Sequence, residues 1–226
     1  MAIKSCISYP GAKWKALPQI LELIPEGITD WREPFFGGGS VTFGFLQSEK
    51  SKDCKKFVVG DLAAEMYALW KGIQEDADRV TDIAISWWNE KCPTHVYIQN
   101  TPMLFEGVQR EIQILRGNDK VNKSDDDIRN IWLKAEAEGI EFWNWAATVD
   151  CTKLNRISFS GMGDSGSLSK DQYLDFKAEH IQKIKEVAPL LQKLEIYNQS
   201  FELTMANCPK KGGFIFLDPP YCNQEK

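Results

Sequence analysis

The chain has 226 residues, 43% of them hydrophobic, with a formal net charge of −5. That is enough apolar material for one substantial core, and one domain carrying an insertion is the natural expectation. The acidic balance argues against a protein that coats nucleic acid by bulk electrostatics, while leaving room for a local basic face. No apolar run approaches the roughly 20 residues needed to cross a bilayer, and "MAIKSCISYPGAKWK" lacks the apolar stretch and cleavage site of a secretory signal. The six cysteines are scattered and never form C-x-x-C, which suits reduced thiols better than a disulfide frame or a zinc site. Cys92 and His95 have C-x-x-H spacing but no second ligand pair, so no metal is expected.

In chain order, "GAKWKALPQILELIPEG" predicts a helix with Leu17, Ile20, Leu21 and Ile24 on one face, ended by Pro25-Glu26-Gly27. "ITDWREPFFGGGSVTFGFL" reads as strand, glycine loop and helix. "KKFVVGDLAAEMYALWKGI" repeats that logic, with a strand at Phe57–Val59, Asp61 at its end and a helix after it. Two such units in succession predict an α/β sheet with parallel strands. From about 74 to 150 the periodicity is mainly helical and rich in tryptophan. The best helix starts at "SDDDIRNIW", where Ser124 caps and Asp127 completes a capping box. The acidic triplet Asp125–Asp127 is read as its solvated first turn. "NRISFSGMGDSGSLS" (155–169) reads as a loop or hairpin and is followed by a helix over about 170–192. The α/β pattern then returns with "KLEIYNQSF" and "GFIFLDPPY", in which Ile215, Phe216 and Leu217 read as a buried strand.

Two features carry chemistry. "EPFFGGGS" (Glu33–Ser40) sets three glycines between a strand and a helix, where the backbone can approach a ligand closely and helix N–H groups are free. Asp61 follows Gly39 by 22 residues, a distance at which a strand-end acid can hold a ribose hydroxyl pair. Together they suggest an adenosine-type cofactor, although a glycine-rich turn without a ligand has the same sequence. The third glycine of a dinucleotide fingerprint is missing, and no G-x-x-x-x-G-K-[ST] is present. A cofactor without a pyrophosphate, such as S-adenosylmethionine, satisfies both conditions.

The second feature is Asp218-Pro219-Pro220-Tyr221. Ligands of open α/β sheets bind beyond the carboxyl ends of strands, and two prolines remove two backbone donors while stiffening the chain. The result is a set of acceptors beside an aromatic ring, suited to a planar amino group. A plain Pro-Pro turn is the alternative.

In order, "YPGAK", "EPFFGGGS", "VVGD" and "LDPPY" resemble the Dam-type (D12 class) adenine-N6 DNA methyltransferases. The resemblance covers roughly residues 7–75 and 195–221. It implies a Rossmann-like S-adenosylmethionine-dependent α/β catalytic domain (1–75 and 193–226) and a mainly helical target-recognition insertion (76–192) with a hairpin near 154–169. Tyr9, Lys13, Phe35, Gly37, Gly39, Asp61, Phe201 and Asp218 are then expected at the methyl donor, Lys13 near its carboxylate, Asp61 on the ribose and Phe201 against the adenine. Asp218 and the Pro219 carbonyl would accept from the target N6 amino group, with Pro220 stiffening the motif and Tyr221 stacking on a flipped base. Asn155, Arg156 and Ser158 would contact double-stranded DNA, Arg156 reading a guanine edge or a phosphate. The family often has F-x-x-P-x-G after this arginine, where this chain has "FSGMGDSGS", so a GATC target does not follow.

The resemblance further implies a cytoplasmic enzyme of a bacterial or phage-infected cell, in an orphan or restriction-linked setting, without membrane or metal partners. Two alternatives are a non-catalytic nucleic-acid-binding remnant of the fold and an RNA adenine methyltransferase. Family members continue past DPPY with three further strands. The strand before Asp218 is therefore expected at an exposed apolar edge, with the later strands absent from this chain, recorded only in part, or supplied by a second chain.

Overall fold

The computed structural model describes residues 2–91, 124–137 and 181–220. In chain order these form α1 (Leu17–Leu23), β1 (Asp30–Glu33), α2 (Ser40–Leu46), a short 3-10 turn (Glu49–Ser51), β2 (Lys56–Asp61), α3 (Ala64–Lys91), α4 (Asp125–Ala137), α5 (Lys183–Leu191), β3 (Glu195–Asn198), α6 (Phe201–Met205) and β4 (Gly213–Ile215). All described strand pairs are parallel, in the order β3-β2-β1-β4. The chain moves outward from β1 to β3 and then returns to the other side of β1, so the strand order reverses between β1 and β4. In sheets of this kind that reversal opens a crevice at the carboxyl ends of the strands. The expected α/β parallel sheet is present.

Alternation along β1 divides its side chains between two faces. Trp31 and Glu33 point to the side of α2, where Trp31 is fully buried and stacks on Phe45 at 4.3 Å and Phe214 at 5.1 Å. Its indole Nε1 donates to Thr42 Oγ1 at 2.7 Å. Asp30 and Arg32 point to the opposite face, where Arg32 donates to backbone carbonyls at the end of α6. Phe36, Phe43 and Trp70 pack edge to face and join α2 to α3 in one core with Val59 and Ile196.

Local signals set several boundaries. The predicted first helix is shorter than its sequence pattern: it begins at Leu17, with Pro18 in its first turn where a missing N–H costs nothing. Residues before it are taken up by the Pro10-Gly11 turn. The Ser124–Asp127 capping box forms, the Ser124 amide donating to Asp127 Oδ2 at 2.9 Å and the Asp127 amide to Ser124 Oγ at 3.2 Å. Helix α3 breaks at Asp76 (φ −155°, ψ 84°), whose carboxylate accepts from the Arg79 amide at 2.9 Å and caps the continuation. Of the stretch 76–192, the described residues are helical through Lys91, over Asp125–Ala137 and over Lys183–Leu191. The expected hairpin near 154–169, the Cys92–His95 pair and the start of the helix over 170–192 lie outside the described residues.

One expectation is corrected. Ile215–Leu217 is not a buried strand: β4 ends at Ile215, all three of its residues are only partly buried, and Leu217 is 52% exposed. β4 pairs with β1 alone among the described strands, so one of its sides lacks the neighbour that buries a central strand. Phe214 and Phe216 still stack on Trp31, and the Phe216 amide donates to Arg32 O at 2.8 Å, carrying the pairing past the strand.

Candidate active site at the carboxyl edge of the sheet

Each strand ends on a polar side chain at the same edge: Glu33 on β1, Asp61 on β2, Asn198 on β3 and, three residues past β4, Asp218. The glycine loop runs between them. Its conformation is fixed from β2: the Phe36 amide donates to Gly60 O at 2.9 Å, and the Gly37 amide donates to Asp61 Oδ2 at 2.7 Å. The other Asp61 oxygen accepts from the Ala63 amide at 2.9 Å, and Asn198 Nδ2 donates to the Asp61 carbonyl at 2.9 Å. Asp61 therefore locks β1, β2 and β3 together at this edge, in addition to whatever it offers a ligand.

The loop needs its glycines. Gly37 and Gly39 have φ of +44° and +70°, which L side chains rarely adopt. A Cβ at Gly37 would come 2.6 Å from Tyr9 Cε1, and one at Gly38 2.7 Å from Tyr9 Cβ, because the Tyr9 ring lies on the loop. Beneath it, the Trp70 indole donates to Gly37 O at 2.8 Å.

"YPGAK" forms a tight turn. The Ala12 amide donates to Tyr9 O at 3.1 Å, with Pro10 and Gly11 (φ +81°) in the two central positions that favour them. The Lys13 amide then donates to Ser40 Oγ at 2.9 Å, which ties the turn to the first residue of α2. Held this way, Lys13 Nζ lies 2.6 Å from Asp218 Oδ2 and donates to Gly11 O at 2.9 Å. Both side chains of this pair are about one quarter exposed. The lysine expected at a donor carboxylate thus sits on the acid of "DPPY".

Phe35 and Phe201 face each other at 5.7 Å with 24° between their planes, and Phe201 is 41% exposed. Two rings from distant parts of the sequence meet, one in the glycine loop after β1 and one just past the end of β3. Pro219 and Pro220 are both exposed at the edge. Tyr221, Asn155, Arg156 and Ser158 lie outside the described residues.

Sequence reasoning passed over Glu33 except as the first letter of the glycine motif. It is buried at the end of β1 and accepts from the Thr42 amide at 3.1 Å and from the Thr42 hydroxyl. Burial pushes its carboxyl from the ordinary 4.5 up to about 8; the Thr42 hydrogen bonds oppose that shift, and the nearby Asp218 and Asp61 charges add to it. The acid is therefore protonated at neutral pH and spans the glycine loop, one end on β1 and the other on α2. Strand alternation after Trp31 was the available signal. Ser40 and Trp70 also support the site, and nothing local in the sequence marks either of them.

A family model described as D12 class N6 adenine-specific DNA methyltransferase matches residues 9–226. The chain belongs to that family. This methyltransferase is also similar to the Type II methyltransferase M.MjaIII of Methanocaldococcus jannaschii, with 24% identity covering 98% of this chain and 70% of that protein. The parallel sheet with its flanking helices is the Rossmann-like frame of such an enzyme, which uses a methyl donor and takes DNA as substrate. Among the described residues of the methyltransferase, no group of His, Cys, Asp and Glu is arranged to hold a metal, and no helix is long and apolar enough to cross a membrane.

Proposed function

We propose that the carboxyl edge of this sheet binds S-adenosylmethionine and the target adenine side by side, and that Asp218 receives the adenine. The observation that carries this reading is the Lys13–Asp218 ion pair at 2.6 Å, placed in the crevice where the strand order reverses. The residues present fit the donor. The exposed Phe201 ring beside Phe35 offers a flat apolar surface for a purine, and Asp61, which holds the Gly37 amide of the same loop, carries a carboxylate for a ribose diol. The glycine loop between them presents backbone without side chains, roofed by Tyr9. When bound, the donor supplies an electrophilic sulfonium methyl whose C–S bond breaks as the new C–N bond forms.

The chain's own contribution is positioning and electrostatics. Asp218 and the Pro219 carbonyl accept the two N–H bonds of the adenine amino group and aim its lone pair, while Pro220 keeps the backbone stiff and removes a competing donor. Tyr221 stacks on the base. Lys13, beside Asp218, holds that carboxylate in place and is the cation that would meet the donor's carboxylate. Because N6 is paired inside a duplex, the base must leave the stack, at a cost of a few kcal/mol offset by the contacts in the pocket. Asn155, Arg156 and Ser158 are assigned to the DNA, in the insertion spanning 76–192.

The test is incubation with S-adenosylmethionine labelled in its methyl group and unmethylated double-stranded DNA, then digestion to nucleosides. Label in N6-methyldeoxyadenosine that Asp218→Ala abolishes is the expected result. No label with the wild-type protein, or label that survives the substitution, overturns this reading.

A further inference from the structure

The two rings proposed for the donor's purine rest on different supports. Phe35 belongs to the glycine loop, which is anchored by Gly60, Asp61 and Trp70. Phe201 opens α6, a helix of only five residues. A helix that short does not hold its shape alone and takes its position from tertiary contacts. Two such contacts come from the sheet. Thr204 is fully buried against Gly60, where a Cβ would come 2.2 Å from its Oγ1. The second contact is Arg32.

Arg32 is 5% exposed, and its guanidinium does two things at once. Nε and Nη2 donate to the two carboxylate oxygens of Asp30 at 2.8 and 3.2 Å, a forked pair on one face of β1. Nη1 donates to Thr204 O at 2.9 Å and to Ala206 O, and Nη2 donates to Asn207 O at 3.3 Å. These are the carbonyls at the end of α6, which the short helix leaves without partners of its own. Asp30 fixes the orientation of the fork and the fork holds the helix end. The planar guanidinium suits this; an ammonium does not present several donors in a fixed plane.

We propose that Arg32, oriented by Asp30, is a positioning residue that sets α6 against β1 and thereby places Phe201 opposite Phe35, so that it controls affinity for the purine end of the methyl donor. β1 then serves both walls of the pocket, Glu33 bracing the glycine loop on one face and Arg32 holding the Phe201 helix on the other. The affinity half of this inference rests on the donor reading above; the positioning half rests on the contacts alone.

The double variant Asp30→Leu/Arg32→Leu removes the pair without leaving a lone charge buried. Hydrogen exchange at the amides of 201–206 is compared with that of 40–46, and donor binding is measured at equilibrium together with steady-state methyl transfer. The expected result is at least a 10-fold acceleration of exchange confined to 201–206, about a 10-fold rise in the Kd and KM for S-adenosylmethionine, and kcat within about 2-fold at saturating donor. Arg32→Lys, which keeps Asp30 paired but loses the fork, is expected to move the same readouts by a smaller factor; it decides the matter should the double variant not fold. Unchanged exchange in 201–206, or faster exchange with unchanged donor affinity, overturns the proposal. Wild-type protein that binds no donor overturns the donor reading and the affinity half with it, while the exchange comparison still decides whether Arg32 positions α6.

Discussion

Lys13 and Asp218 are separated by almost the whole chain, yet Lys13 Nζ lies 2.6 Å from Asp218 Oδ2. The Pro10-Gly11 turn, anchored through Ser40 Oγ, delivers the lysine, and β4 delivers the acid. Both groups are about one quarter exposed, so the pair adds at most about 1 kcal/mol to stability. Its value lies in keeping the carboxylate oriented. Lys13→Ala is therefore expected to shift the unfolding midpoint by no more than about 4 °C while lowering kcat/KM about 10- to 100-fold. Thermal unfolding alongside methyl-transfer assays checks both halves.

Glu33 makes a pH signature. Its native carboxyl titrates at about 8 against an ordinary 4.5. Between those values the folded chain holds a proton that the unfolded chain has released, so this group lowers stability progressively as pH rises through that window, and the full penalty stands above it. Below the ordinary value both states are protonated and the contribution vanishes. Glu33→Gln, which keeps an acceptor for Thr42, is expected to remove this slope: the variant gains on the wild type by about 3–4 kcal/mol from pH 5 to pH 8. Urea unfolding of both proteins at pH 5, 7 and 9 measures the difference, and an invariant difference would count against a protonated Glu33.

Two glycines of one loop are expected to fail differently. A Cβ at Gly39 would meet Phe43 Cε2 at 2.7 Å and Phe36 Cζ at 2.8 Å, both in buried rings, at a φ of +70°. Gly39→Ala is expected to cost about 1–3 kcal/mol of stability. At Gly37 the obstacle is the ring of Tyr9, which is only partly buried and can swing away. Gly37→Ala is expected to weaken donor binding more than it weakens the fold. Chemical unfolding and donor titration of the two variants separate these outcomes.

Phe201 is 41% exposed and contributes little to the core. Stacking of a base on an aromatic ring is worth about 1–3 kcal/mol, so Phe201→Ala is expected to weaken donor binding by about 10- to 100-fold with the unfolding midpoint nearly unchanged. Calorimetric titration of the variant with S-adenosylmethionine checks this; wild-type affinity would exclude Phe201 from the purine site.

The order of elements, the glycine loop, the strand-end acid Asp61 and the capping box at Ser124 were legible in the sequence because each depends on neighbours a few residues away. Turn-forming glycines, capping side chains and strand alternation are local physics. The apolar run Ile215–Leu217 reports the preference of its residues, while burial depends on which strands lie on either side, and among the described strands β4 pairs with β1 only. The partners of the site residues were equally out of reach. Lys13 on Asp218, Phe201 on Phe35, Arg32 on the end of α6 and Glu33 across the loop to Thr42 are set by parallel register and by the two faces of β1. The sequence by itself determined which chemical groups this protein carries and the family it belongs to. Only the tertiary structure decided which groups meet, because a parallel sheet brings strand ends together across intervals of sequence that no local pattern spans.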